Sequence, residues 1–297
     1  MMNPLRRFLQ LILIQLVCFL VISPAQATNS DLLNLGVQKL NQENYQTASS
    51  IFEDILTSNP HHLKAKQYLC FANLNLDNYQ NAIANCSAVI EKNPKQIQAY
   101  LWRGLAYYRS DHYQEAIHNY NQILDLDPEH PQALYNRGLA RSAIAQFSEA
   151  LTDYNRALAQ SQALSQQEKA MIYNDRGILY LEQKQYQKAR EDFSQATHLD
   201  DNNSRSLYNL GCACHYLGEH QTAIRHFTHA IEKSPDHASA YITRGLAFYQ
   251  LDYPENAIED LKTGANLLKS QGKQQAEQEI RQLIRQLQPA MSVVNYA

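Results

Sequence analysis

Alanines recur at Ala48, Ala82, Ala116, Ala150, Ala189, Ala223 and Ala257, with 34 residues between neighbours in every interval but one, where the spacing is 39. Such a period decides the fold before length does, because each unit can bury its apolar face only against the next. Within each unit an apolar i, i+3, i+4, i+7 pattern runs for about 13 residues, breaks at a short polar turn and resumes for about 14 more. That is the signature of two amphipathic helices folded back on each other. Asn59-Pro60, Asn93-Pro94, Asp127-Pro128 and Ser234-Pro235 close four of the units, where a proline stops one helix and its missing N–H does least harm. Gly36, Gly104, Gly138, Gly177, Gly211 and Gly245 each sit 12 residues before the alanine of their unit, which places a point without a side chain opposite a small one. A glycine inside a helix costs about 1 kcal/mol against alanine, so its recurrence implies close backbone approach.

Counted from residue 29, the units are 29–62, 63–96, 97–130, 131–169, 170–203, 204–237 and 238–271, with Gly at position 8, Tyr or Phe near 17, Ala at 20, often an aromatic at 24 and Pro at 32. This pattern resembles the tetratricopeptide repeat. The resemblance implies an all-α fold, a right-handed superhelical solenoid of antiparallel helix pairs whose first helices line a concave groove. Departures from the pattern are local. Cys70 replaces the glycine of repeat 2, Asp201 stands at the proline position of repeat 5, and Pro254 falls in the turn of repeat 7. Repeat 4 lacks the proline and is followed by five extra residues near 161–169, expected to lengthen its second helix. Between Gln274 and Gln288, the residues Ala276, Ile280, Leu283, Ile284 and Leu287 form one apolar stripe, which reads as a capping helix (272–288) covering the last apolar face of the array, with 289–297 left as a flexible tail.

The first 27 residues stand apart. Arg6 and Arg7 precede an apolar run from Phe8 to Ile22, and Ala25-Gln26-Ala27 follows, the layout of a secretory signal peptide cleaved after Ala27. The run would span roughly 22 Å as a helix, short of a bilayer core of about 30 Å, so a permanent tether by an uncleaved segment is the alternative. The expected location is periplasmic or otherwise extracytoplasmic, with no membrane span after cleavage. Removing Arg6 and Arg7 takes the formal net charge from -3 to about -5, which denies nucleic acid a basic surface. Four cysteines remain, too few for a disulfide-dense scaffold, although export permits bridges.

Arg103, Arg137, Arg176 and Arg244 recur at position 7 and invite an anion-binding reading, but position 23 is Asp153, Asp192 and Asp260 in the last three of these repeats. Arginine and aspartate occurring together point to structural ion pairs across each hairpin, Arg137 with Asp153, Arg176 with Asp192 and Arg244 with Asp260. Cys70 and Cys86 occupy positions 8 and 24 of repeat 2, where facing helices bring Cα atoms into the range of a disulfide; two buried thiols filling small core sites are the other reading. Cys212, Cys214, His215, His220, His226 and His229 crowd repeat 6, yet Cys212 and Cys214 point about 200° apart on a helix, which argues against a metal site. The chain carries no linear catalytic or phosphate-cradling motif, and no cofactor is expected.

What remains is a second stripe on the first helices, at positions 2, 5, 9 and 12. Position 9 is apolar in every repeat and includes Phe71, Leu105, Leu139, Ile178 and Leu246. Positions 5 and 12 add Leu101, Tyr108, Tyr135, Tyr208, Ile242 and Tyr249, and Tyr216 lies beside them. Half-burial between neighbouring first helices accounts for position 9; a tyrosine-lined groove for an extended peptide or amphipathic helix of another protein accounts for the whole stripe. The expected function is a non-catalytic extracytoplasmic scaffold or assembly factor. The alternative is an enzyme or sugar-binding envelope protein with its site in the concave surface, a reading weakened by the scarcity of groove carboxylates beyond Glu182.

Overall fold

The computed structural model describes residues 28–294, so the segment read as a signal peptide and the last three residues of the chain lie outside the described residues. Fifteen α-helices and no strand occur among the described residues. They are α1 (Asn29–Asn41), α2 (Tyr45–Ser58), α3 (Leu63–Asn75), α4 (Tyr79–Lys92), α5 (Ile97–Arg109), α6 (Tyr113–Leu126), α7 (Pro131–Ala143) and α8 (Phe147–Ala159). Then come α9 (Gln166–Glu182), α10 (Tyr186–Leu199), α11 (Ser204–Tyr216), α12 (His220–Lys233), α13 (Ala238–Gln250), α14 (Pro254–Ser270) and α15 (Gln274–Val294). The chain forms two compact units, one ending at His112 and one beginning at Tyr113. In the N-terminal unit α1 packs on α2 and α3 on α4, and each second helix also packs on the first helix that follows, α2 on α3 and α4 on α5. The C-terminal unit repeats this scheme from α6 to α14 and ends with α15 against α14.

The seven periodic alanines are all fully buried, because a methyl group is the largest side chain that lets the helices approach this closely. The glycines serve a different neighbour from the one expected. A Cβ added to Gly36, Gly138, Gly177 or Gly211 would lie 2.4 to 2.7 Å from a ring carbon of Phe52, Tyr154, Phe193 or Phe227 respectively. Each glycine therefore makes room for the aromatic ring at position 24 rather than for the alanine at position 20. Gly245 does approach its alanine, with a built Cβ 3.0 Å from the Ala257 carbonyl oxygen.

Every hairpin turn carries one left-handed residue at position 15: Glu43, Asp77, Asp111, Ala145, Lys184, Gly218 and Asp252, with φ from 56 to 80°. Only Gly218 meets that geometry without a Cβ penalty. N-caps are partly unusual. His62, His130 and His237 accept from the amides of Ala65, Ala133 and Ala240 through Nδ1, at 3.1, 3.3 and 3.1 Å, a role normally filled by Ser, Asp or Asn.

The five extra residues do not extend α8, which ends at Ala159. They form a 3-10 turn at Ser161–Ala163 and lengthen the next first helix, α9, to 17 residues against 13 in α7. The reason is a capping box at Ser165 and Glu168: the Ser165 hydroxyl accepts from the Glu168 amide at 3.2 Å, and Glu168 accepts from the Ser165 amide at 2.8 Å. At the far end Ile280, Leu283, Ile284 and Leu287 pack against Ile258 and Leu261 of α14, as a cap requires. That last helix continues past Gln288 to Val294.

Candidate functional site

The arginine row is a structural lattice. Arg176 makes a two-pronged contact with Asp192, Nε to Oδ2 at 2.7 Å and Nη2 to Oδ1 at 2.6 Å, and Arg244 holds Asp260 the same way at 2.7 and 2.8 Å. Arg137 grips Asp153 at 2.9 and 2.6 Å, and Arg141 adds a third bond to that carboxylate at 2.6 Å. All three aspartates are buried. The third nitrogen of each guanidinium crosses to the preceding repeat: Arg137 Nη1 reaches Asn121 at 2.6 Å, Arg176 Nη1 reaches Asn155 at 2.6 Å, and Arg244 Nη1 reaches Thr228 at 3.0 Å. In the N-terminal unit Arg103 Nη1 reaches Ser87 at 2.9 Å in the same manner. All four acceptors stand at position 25, a short polar residue whose recurrence carried this signal in the sequence. One arginine thus fixes its own hairpin and the register to the hairpin before it. The hydrogen bonds to Asp260 hold the Arg244 guanidinium above its ordinary pKa.

Cys70 and Cys86 are joined in a disulfide with Cα atoms 5.5 Å apart. Of the crowd in repeat 6, Cys214 is buried and Cys212 half-buried, and burial pushes both thiols up to about 11. That is the reverse of the thiolate a metal ligand or nucleophile needs. His215 and His220 hydrogen-bond each other through their Nδ1 atoms at 3.2 Å, and burial lowers the pKa of His215.

Of the proposed groove residues, four lie in the N-terminal unit. Leu101 is buried and belongs to the core, because position 5 of α5 turns inward; Phe71, Leu105 and Tyr108 are half-buried, and Phe71 packs on Trp102 at 4.9 Å. In the C-terminal unit Leu139, Ile178, Ile242 and Leu246 are half-buried, in keeping with burial between neighbouring first helices. Tyr208 is a packing residue: its ring meets His237 at 4.7 Å and Phe227 at 5.8 Å, and burial raises its pKa. Tyr216 and Tyr249 are exposed, at 58% and 38%, and Tyr216 stacks on Tyr186 with ring centres 5.0 Å apart.

The face of α7, α9 and α11 is more polar than the stripe suggested. Tyr135 donates to Asp175 at 2.7 Å, and Asn174 donates to the other oxygen of Asp175 at 3.1 Å. The Asn174 carbonyl accepts from Asn209 at 2.9 Å and Ser206 at 3.3 Å, while Gln132 donates to Glu168 at 3.1 Å and thereby lowers the Glu168 pKa. Adjacent first helices are therefore stitched together; Met171 of α9 is 46% exposed, and the exposed Arg205 of α11 lies 4.0 Å from Asp175. Asp175 and Asn209 occupy position 6, which a stripe of positions 2, 5, 9 and 12 leaves out.

Residues 97–130, 170–203 and 204–237 match the tetratricopeptide repeat family. These three segments are tetratricopeptide repeats. Neutrophil cytosol factor 2 of Mus musculus is 32% identical over 106 residues, covering 36% of this chain and 19% of that protein. Tetratricopeptide repeat protein 13 of Homo sapiens is 31% identical over 88 residues, 30% of this chain and 10% of that protein. The chain thus spans a fifth or less of these two curated relatives. Among solved structures, a tetratricopeptide repeat protein from Parabacteroides merdae superposes with a TM-score of 0.63 at 17% identity, covering 86% of this chain and 98% of its own. YrrB, described as a tetratricopeptide repeat protein with an unusual peptide-binding site, gives 0.55 at 19% identity over 66% of this chain and 97% of its own. These likenesses establish the helical-repeat fold. Arrays of tetratricopeptide repeats generally present extended surfaces to protein partners and serve as non-catalytic scaffolds. No helix among the described residues is long and apolar enough to cross a membrane.

Proposed function

We propose that this protein is a non-catalytic scaffold acting outside the cytoplasm, and that the first-helix face of its C-terminal unit receives an extended peptide or an amphipathic helix of another protein. One observation carries the reading: Met171 and Arg205 stand exposed on α9 and α11, first helices held to their neighbours by the Tyr135–Asp175 and Asn174–Asn209 bonds, and Tyr249 stands exposed on α13, the first helix that follows. A rigid platform leaves only these few long side chains to be ordered on binding. The half-buried aliphatics between them supply apolar contact, and Tyr and Arg are the residue types that dominate interface energies. The leader-like segment before Thr28 and the Cys70–Cys86 bridge support the location.

A partner recovered with the chain from the exported fraction tests the proposal. Met171→Ala with Tyr249→Ala should weaken its capture about tenfold or more, the loss of two exposed anchors, while the melting transition stays nearly unchanged because neither side chain belongs to the core. Undiminished capture, or a melting temperature lowered by many degrees, would reject the face. The intact mass of the native protein should correspond to a chain beginning at Thr28; a full-length chain recovered from the cytosol would reject export.

A further inference from the structure

In four hairpins the space between positions 8 and 24 is filled in one way, by a glycine on the first helix lying under an aromatic ring on the second: Gly36 under Phe52, Gly138 under Tyr154, Gly177 under Phe193 and Gly211 under Phe227. Repeat 2 places Cys70 and Cys86 at these two positions, bonded to each other and both fully buried. We infer that the disulfide is a covalent stand-in for the ring, a staple that the N-terminal unit needs in order to close its second hairpin.

The physical case rests on volume and distance. The Cα atoms are 5.5 Å apart, a spacing a bonded pair of sulfurs fits. Two unbonded sulfurs settle about 3.5 Å or more apart, so the reduced hairpin must either open or leave its rotamers, and a side chain as small as cysteine cannot replace the contacts of a phenyl ring across such a gap. Forming the bridge removes two protons and two electrons from the Cys70 and Cys86 thiols and delivers them to an incoming disulfide, which departs as two thiols. Because both sulfurs are buried, exchange proceeds while the hairpin is open, during folding or after unfolding, and the folded protein resists reductants. The bridge is therefore a requirement of folding rather than a switch. The inference depends on the export reading only for where the chain meets its oxidant; refolding in vitro separates the two.

The only tryptophan of the chain, Trp102, lies in the same unit and packs on Phe71, next in sequence to Cys70, so its fluorescence reports this unit. The full chain is unfolded and reduced, then refolded either with glutathione disulfide or with reductant present, and melted. The oxidised full chain should titrate three free thiols after denaturation, Cys18, Cys212 and Cys214, and its Trp102 transition should lie about 10 °C or more above that of the reduced form. Cys70→Gly with Cys86→Phe, which installs the pair used by the other hairpins, should restore the high transition and make it indifferent to reductant, whereas Cys70→Ala with Cys86→Ala should melt like the reduced protein. Five free thiols in the oxidised sample, equal transitions for oxidised and reduced wild-type chain, or a Gly/Phe variant no better than the Ala/Ala variant would each overturn the inference. A bridge that forms in vitro in a protein whose native mass begins at Met1 would leave the staple intact and reject export alone.

Discussion

Arg176→Leu should destabilise the C-terminal unit by about 3 to 5 kcal/mol, because it strands the Asp192 carboxylate in a buried site with no compensating charge. The same change at Arg137 should cost clearly less. There Arg141 remains bonded to Asp153 at 2.6 Å, so that carboxylate keeps a cation when Arg137 is lost. The chain itself supplies the rescue. Repeat 2 carries Leu69 at position 7 and Asn85 at position 23, and Asn85 satisfies its amide on its own helix by donating to the Asn81 carbonyl at 2.8 Å. Adding Asp192→Asn to Arg176→Leu rebuilds that combination and should recover more than half of the loss. Chemical denaturation of the four proteins forms a double-mutant cycle; additive losses would show that the ion pair is not the source of the effect.

Phe193→Ala should cost about 3 to 5 kcal/mol, since the ring is fully buried and the glycine beneath it has no side chain with which to fill the cavity. The sharper test is the change of sign at Gly177. In the wild-type background Gly177→Ala sets a methyl carbon 2.7 Å from the Phe193 ring and should destabilise by about 1 to 3 kcal/mol despite alanine's better helix propensity. In the Phe193→Ala background the same substitution meets an empty space and should stabilise. If Gly177→Ala has the same sign in both backgrounds, the ring does not lie on the glycine.

The fold was legible because repetition exposes it. A small residue every 34 positions, helix-period apolar stripes and an Arg that travels with an Asp within single repeats can be compared across the chain itself. Gly36, Gly138, Gly177 and Gly211 face position 24 rather than position 20 for a geometric reason: positions 8 and 20 both carry small residues, yet the crossing of the two helices sets position 8 against position 24. The longer α9 was also readable, since Ser165-Gln166-Gln167-Glu168 has the spacing of a capping box, a stronger start signal than the length of the preceding apolar pattern. The polar stitching was harder to see. Tyr135, Asp175 and Asn209 sit on three different helices, and nothing in their local sequence announces that Asp175 accepts the tyrosine hydroxyl 40 residues away. Left-handed turn residues such as Ala145 and Lys184 give no signal either, because the residue types tolerate rather than demand the conformation.

Site-specific photocrosslinking tests the proposed binding face most directly. A photoreactive side chain is placed in turn at Met171, Arg205 and Tyr249 on the first helices, and at Ser194 and Thr222 on the second helices as controls, in the full chain exposed to its copurifying partner. Adducts to one partner segment from the three first-helix positions, with none from the two controls, is the predicted result. Adducts at Ser194 and Thr222 with none at Met171, Arg205 or Tyr249 would contradict the account.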